Sequence, residues 1–143
     1  MEDYLKIIQK IHSYGIAVQV GVVFGFDEDG KDIFKKTLDF LEVAGVQNAT
    51  FNILTPYPGT ALFKRLETED RIITHDWDKY NARTDVVFIP KNMSPEELIE
   101  GFNYANQHFY SLKSIALRLS QSPVGLYWTL PLNLMYYHAL KYR

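Results

Sequence analysis

The chain has 143 residues, 47% of them hydrophobic, with a formal net charge of −2 and a pI near 6.1. That is enough apolar material for one ordinary domain with its own core, so disorder throughout is excluded, and no basic excess points to nucleic acid as a partner. There is no cysteine, which rules out a disulfide framework, a thiolate metal site and a thiol nucleophile.

Asp3 opens a helical pattern as its cap, with Leu5, Ile8 and Ile11 on one face and Gly15 as the stop near Tyr14. Ile16 to Phe24 is almost continuously apolar and β-branched, the composition of a parallel strand buried on both faces. Asp27, Glu28 and Asp29 follow, where acids favour a positive helix N-terminus. Ile33, Phe34, Thr37, Leu38 and Leu41 then mark a helix that Gly45 ends, and Asn48 to Thr55 reads as a second strand with Phe51 and Ile53 on one face. Helix and strand alternating through short joins predict a parallel sheet. Two strands cannot bury both faces, so further strands, a substitute or a second copy of the chain are expected to complete the sheet.

Ala61 to Leu66 predicts another helix, interrupted over Glu67 to Arg71. Residues 72–92 read as a connector containing the extended stretch Asp85-Val-Val-Phe-Ile-Pro90. Ser94-Pro-Glu-Glu97 is the sharpest local signal. Ser94 suits an N-cap, Pro95 the first helical position and Glu97 the reciprocal acid of a capping box. The helix it starts is expected to reach Leu112, with Leu98, Phe102, Ala105 and Phe109 on one side. Neither repeats nor low-complexity segments are visible.

From Arg118 to Lys141 no Lys, Arg, Asp or Glu intervenes, and Trp128, Tyr136 and Tyr137 enrich the stretch in aromatics. Pro131 is expected to break it into two short helical pieces. Such pieces suit packing on protein or attachment at a membrane surface through 124–143 better than they suit a bilayer span. The start of the chain lacks a basic n-region followed by an apolar h-region, so no signal peptide is read and the cytoplasm is the default location, with membrane association through 124–143 as the variation on it.

Gly21-Val-Val-Phe-Gly-Phe-Asp-Glu28 spans the end of the first strand. There a glycine lets a flat ligand approach the backbone, and Val23 offers an apolar contact. On the pattern alone, helix-on-strand packing explains Gly21 and Gly25 more often than a ligand does. It is not the dinucleotide fingerprint, which needs glycines opening the helix. Asp27 to Asp32 fails as a calcium loop, because Lys31 and Asp32 occupy positions that need a ligand and a glycine. His12, His75, His108 and His138 are scattered, so no metal site is expected. His75 and Asp76 beside Trp77 read as structural hydrogen-bonding partners before acid–base groups.

The Gly21–Glu28 run, the Thr55-Pro-Tyr-Pro-Gly-Thr60 turn, Trp77 and Tyr80, Met93-Ser-Pro-Glu-Glu97 and Phe109-Tyr-Ser-Leu112 follow one another at a spacing similar to that of radical S-adenosylmethionine (SAM) proteins paired with a cobalamin-binding domain. In particular the chain resembles their late barrel strands and the DUF4070-like extension that follows, over most of residues 1–118. The resemblance implies an α/β fold, a partial parallel (β/α) barrel over 1–68 and a mainly helical extension over 69–143. It implies that Gly21, Val23, Gly25 and Glu28 contact SAM, with Val23 where the family has isoleucine. It implies SAM, a 4Fe–4S cluster and cobalamin as cofactors of the intact family protein, and methyltransferase-like or ring-forming chemistry. The family's Cys-x3-Cys-x2-Cys loop is absent, so this chain alone is expected to be inactive and to bind no cofactor tightly. It is expected to be a segment or truncated product whose partners are the cobalamin-binding and cluster-binding portions. The competing expectation is a non-catalytic interaction module that docks through 124–143.

Overall fold

A computed structural model describes residues 2–120 and 122–141. Among them the chain is α/β: two parallel strands, six α-helices and one 3-10 turn. The order is α1 (Glu2–Ser13), β1 (Gln19–Phe24), α2 (Ile33–Val43), β2 (Asn48–Ile53), α3 (Ala61–Thr68), the turn Trp77–Lys79, α4 (Pro95–Phe109), α5 (Leu112–Ser120) and α6 (Leu126–Lys141).

Two compact units alternate along the sequence. Among the described residues, the first draws on the stretches Met1–Gly21, Lys35–Thr50 and Ala105–Arg143, and the second on Val22–Phe34 and Phe51–Tyr104.

In the first unit, α1 starts at Glu2, so Asp3 lies inside its first turn and not at the cap. Its buried face follows the sequence pattern, with Ile8 only 6% exposed. Gly15 ends the turn at φ +71° with its N–H on the His12 carbonyl. Gly45 at φ +63° closes α2, and the Val46 N–H donates back to Leu41 and the Gly45 N–H to Glu42. That is the six-to-one and five-to-two pairing of a Schellman end.

β1 begins at Gln19, later than the apolar run that contains it, and Ile16 is exposed. The strand is exposed on alternate residues and not buried on both faces, whereas β2 is buried along most of its length. The reason is coverage: the sheet holds two strands among the described residues, and β1 has a bare side.

α4 ends at Phe109, not at Leu112. The Ser111 hydroxyl accepts from the Ser114 N–H, capping a new helix, α5. α6 is one helix with Pro131 inside it, which corrects the expected break. Proline removes one bond, the one to the carbonyl four residues back, and that residue, Tyr127, is 79% exposed, where water can take the bond's place.

The second unit holds the capping box as read. The Ser94 N–H donates to Glu97 Oε2 at 2.8 Å, and the Glu97 N–H donates to Ser94 Oγ at 3.2 Å. Lys31 adds an ion pair to Glu97. Phe24, Phe34 and Phe51 pack ring to ring in its core. Gly101 gives Phe34 its place, because a Cβ there would stand 2.1 Å from the ring.

Candidate functional site

Gly21 and Val23 stand two apart on β1 and so share one strand face, which is the exposed one. A Cβ at Gly21 would meet nothing nearer than Thr50 Oγ1 at 3.9 Å, so the backbone there is open to approach from outside. Val23 is 40% exposed.

Gly25 is placed differently. It is buried at φ +108°, and a Cβ on it would lie 2.9 Å from Leu98 Cδ2 and 3.3 Å from Phe88 Cζ. Its missing side chain admits those two residues, and its conformation is one that only glycine adopts without strain.

After Gly25 the chain does not enter a helix directly. α2 begins at Ile33 with no acid in its first turn. Asp27, Glu28 and Asp29 therefore do not lead the helix, as their position suggested. Gly30 and the turn that follows it intervene, and the Ile33 N–H returns to the Gly30 carbonyl.

Each flanking acid has another partner. Asp29 Oδ2 accepts the N–H of Gly25 at 2.9 Å and of Phe26 at 3.0 Å, filling an anion-gripping pair of backbone donors with the loop's own carboxylate. Asp27, 12% exposed, is ringed by cations: Arg71 Nη2 on Oδ1 at 2.9 Å, Arg65 Nη1 on Oδ2 at 2.9 Å, and Lys91 Nζ on Oδ2 at 3.3 Å. The Arg71 hydrogen bond, with further help from Lys91 and Arg65, holds the Asp27 carboxyl below its ordinary value against the opposing effect of burial. The Asp27 carbonyl accepts from Asn92 Nδ2 at 2.7 Å. Glu28, between these two fastened acids, is exposed.

The turn after β2 is fixed as well. Leu54 N–H donates to the Phe24 carbonyl, Gly59 takes φ +83°, and Thr60 caps α3 by accepting from the Phe63 N–H. Both turns thus leave the C-terminal ends of the two parallel strands, where βα loops carry the chemistry in such folds.

The first unit carries a buried polar network that sequence reasoning missed. Arg118, 1% exposed, donates from Nη1 to the Val46 and Gln47 carbonyls, from Nη2 to the Phe109 carbonyl and Asn133 Oδ1, and from Nε to Ser114 Oγ. It also lies 3.6 Å over the Phe109 ring. Burial lowers its pKa to about 10. Asn133 Nδ2 reaches the Gln47 and Thr129 carbonyls and Asn48 Oδ1. Buried Gln47 bonds His12, Val18, Gly45 and Ser122. No local sequence pattern announces contacts of this range. A groove of about 500 Å³ in the same unit is lined by Tyr110, Leu112, Tyr137 and Leu140, with Gln107, Ser111 and Lys141 also on its walls.

The His75 ring meets Phe63 and Trp77 edge-on, and Glu67 Oε1 lies 3.6 Å from its Nε2. Among the described residues no group of three His, Cys, Asp or Glu side chains could hold a metal ion, and no helix is long and apolar enough to cross a membrane.

Residues 60–129 match the family described as "Domain of unknown function (DUF4070)". The chain is 33% identical over 128 residues to the Bacteriochlorophyllide d C-12(1)-methyltransferase of Chlorobaculum tepidum, covering 90% of this chain and 27% of that protein. The match and this relative support the DUF4070-type radical SAM family as the one this chain is drawn from. The chain is also 28% identical over 123 residues to the Hopanoid C-2 methylase of Rhodopseudomonas palustris, covering 79% of this chain and 23% of that one. Against the Anaerobic magnesium-protoporphyrin IX monomethyl ester cyclase of Cereibacter sphaeroides the identity is 26% over 110 residues, covering 77% and 18%. The chain spans about a quarter of the length of the first two of these relatives and less of the third. Within the family setting, the DUF4070 match takes in Arg65, Arg71, Lys91 and Asn92, the four residues that hold Asp27.

The residues present do not fit an iron–sulfur cluster, since no thiolate is available. They do fit the approach of a flat adenine, through the open backbone at Gly21 and the apolar Val23 beside it.

Proposed function

We propose that this chain forms part of the SAM-facing wall of a radical SAM enzyme of methyltransferase type, and is not catalytic by itself. Residues 1–68 would belong to the enzyme's partial (β/α) barrel and residues 69–143 to its helical extension. The observation that carries the reading is the open Gly21/Val23 face of β1. SAM would meet that face with its adenine, and Glu28 would stand at its rim. The cluster and cobalamin would be held by other portions of the enzyme, and SAM itself only weakly by this chain. The bare edges of a two-stranded sheet favour strands from those portions, or from a second copy of this chain. The substrate would be a large ring-built carbon skeleton, a reading supported by relatives named for a bacteriochlorophyllide, a hopanoid and a protoporphyrin ester.

The test is the genomic DNA upstream of Met1. The reading expects a Cys-x3-Cys-x2-Cys triplet in the same frame, or in an adjacent gene whose product co-purifies with this chain. Finding neither would remove it.

A second reading, a non-catalytic module docking on a partner protein or a membrane surface, is favoured by α6. Leu126, Tyr127, Trp128 and Met135 are exposed there, Tyr127 and Trp128 each at 79%.

A further inference from the structure

Asp27 gathers cations from three separate stretches of the second unit: Arg65 on α3, Arg71 just beyond it and Lys91 before α4. Arg71 is itself fixed. Its Nε donates to the Ile89 carbonyl at 2.7 Å and its Nη1 to Glu69 Oε2 at 2.8 Å, with the side chain 11% exposed. A bidentate or multiply bonded guanidinium orients its partner as well as attracting it. Asn92 fastens the Asp27 backbone from another side. The cluster therefore binds the loop after β1 to residues 65–92 at four points. Asp29 closes the same loop on Gly25 and Phe26. Glu28 is left as the exposed acid between two fastened neighbours.

We propose that Asp27 is a positioning residue and that the DUF4070 region acts as a buttress: through Arg71, Arg65, Lys91 and Asn92 it sets the loop that carries Glu28 beside the open strand face. The claim that this loop borders SAM rests on the function proposed above. The claim that the cluster sets the loop does not. Removing the Asp27 charge takes from Arg65, Arg71 and Lys91 the carboxylate they share and leaves Arg71 on Glu69, so the loop should let go locally while the unit stays folded.

The experiment compares the wild-type chain with Asp27→Asn. Amide hydrogen exchange is followed by NMR, and SAM is titrated into the millimolar range. Gly25 and Phe26 should lose protection by about tenfold in the variant, while amides in the middle of α4 change little. The SAM-induced shifts at residues 21–28 should weaken several-fold. A uniform rise in exchange across the second unit, or unchanged protection at Gly25 and Phe26, overturns the buttress. If wild-type chain gives no SAM response, the proposed function fails, and the exchange data still decide the buttress. Should Asp27→Asn not fold, Arg71→Gln, which leaves Arg65 and Lys91 on Asp27, takes its place with the same expected pattern at smaller size. Lys91→Ala, which removes the longest of the three cation contacts, should lower protection at Gly25 and Phe26 in the same direction by less than Asp27→Asn does, and no change there would take Lys91 out of the buttress.

Discussion

Arg71 donates to Asp27 at 2.9 Å across 44 residues of sequence, and the two side chains are 11% and 12% exposed. This pair joins the loop after the first strand to the region that matches DUF4070, and its shielding sets it apart from a fully exposed ion pair. Such partly shielded pairs are screened by salt less than exposed ones.

The pair makes stability sensitive to acid. The folded Asp27 carboxyl titrates below its ordinary value, first because of the Arg71 hydrogen bond. A depressed carboxylate contributes its full stability above the unfolded pKa of about 3.9, and loses it as pH falls through the folded pKa. Denaturant midpoints measured from pH 6 down to pH 2 should fall on the acid side, and Asp27→Asn should flatten part of that slope. An identical slope in the variant would contradict the assignment.

Gly101 offers a purely steric test. A methyl group there would need Phe34 to move, since its ring atoms lie 2.1–2.4 Å from the Cβ position. Alanine gains roughly 1 kcal/mol of helix propensity over glycine, but overpacking of a core ring costs about 1–3 kcal/mol. Gly101→Ala should therefore lower the melting temperature by a few degrees, and a rise would show that Phe34 yields freely.

How far the sequence foretold this molecule depends on the range of each contact. Ser94 and Glu97 are three residues apart and announced their capping box without help. The Gly15 and Gly45 helix ends were equally local. Leu112 continues the apolar spacing of α4, so nothing in the local pattern separates the two helices, and the Ser111 cap that opens α5 is visible only in the structure. Pro131 does not break α6, because one absent donor near the start of a long helix leaves the rest of its bonds in place. Asp27 had the residue type of a helix-leading acid, and its true partners lie 44 residues on at Arg71 and 65 on at Asn92. In sequence Arg118 marks only the edge of a charge-free stretch, while two of its acceptors sit 71 and 72 residues earlier.

Asn133 ties α6 into the first unit. It is fully buried, and its amide accepts from Arg118 while donating to Gln47, Asn48 and Thr129. Removing the amide takes one acceptor from the buried Arg118 guanidinium and one donor each from Asn48 Oδ1 and the Gln47 and Thr129 carbonyls, and a buried polar group left unsatisfied costs about 1–3 kcal/mol. Asn133→Ala should lower the unfolding free energy by a few kcal/mol in chemical denaturation. A change under about 0.5 kcal/mol, the range of surface substitutions, would mean that α6 does not belong to this core.

The exposed side of α6 separates the two functional readings. Trp128 and Tyr127 point to an interface that is apolar on one side and wet on the other. Replacing both by serine should leave the melting temperature nearly unchanged. If α6 is an anchor, co-sedimentation with anionic liposomes is lost in that variant; if it only packs on protein, the wild-type chain shows no liposome binding at all.

SAM binding by the isolated chain tests the central claim most directly. Isotope-labelled protein titrated with SAM should show shifts concentrated at Gly21, Val23 and the loop to Glu28, with a dissociation constant in the millimolar range, roughly −4 kcal/mol, because one open strand face is all that this chain offers the nucleoside. Saturating millimolar SAM that leaves residues 21–28 unmoved, or moves only residues elsewhere, would contradict the account.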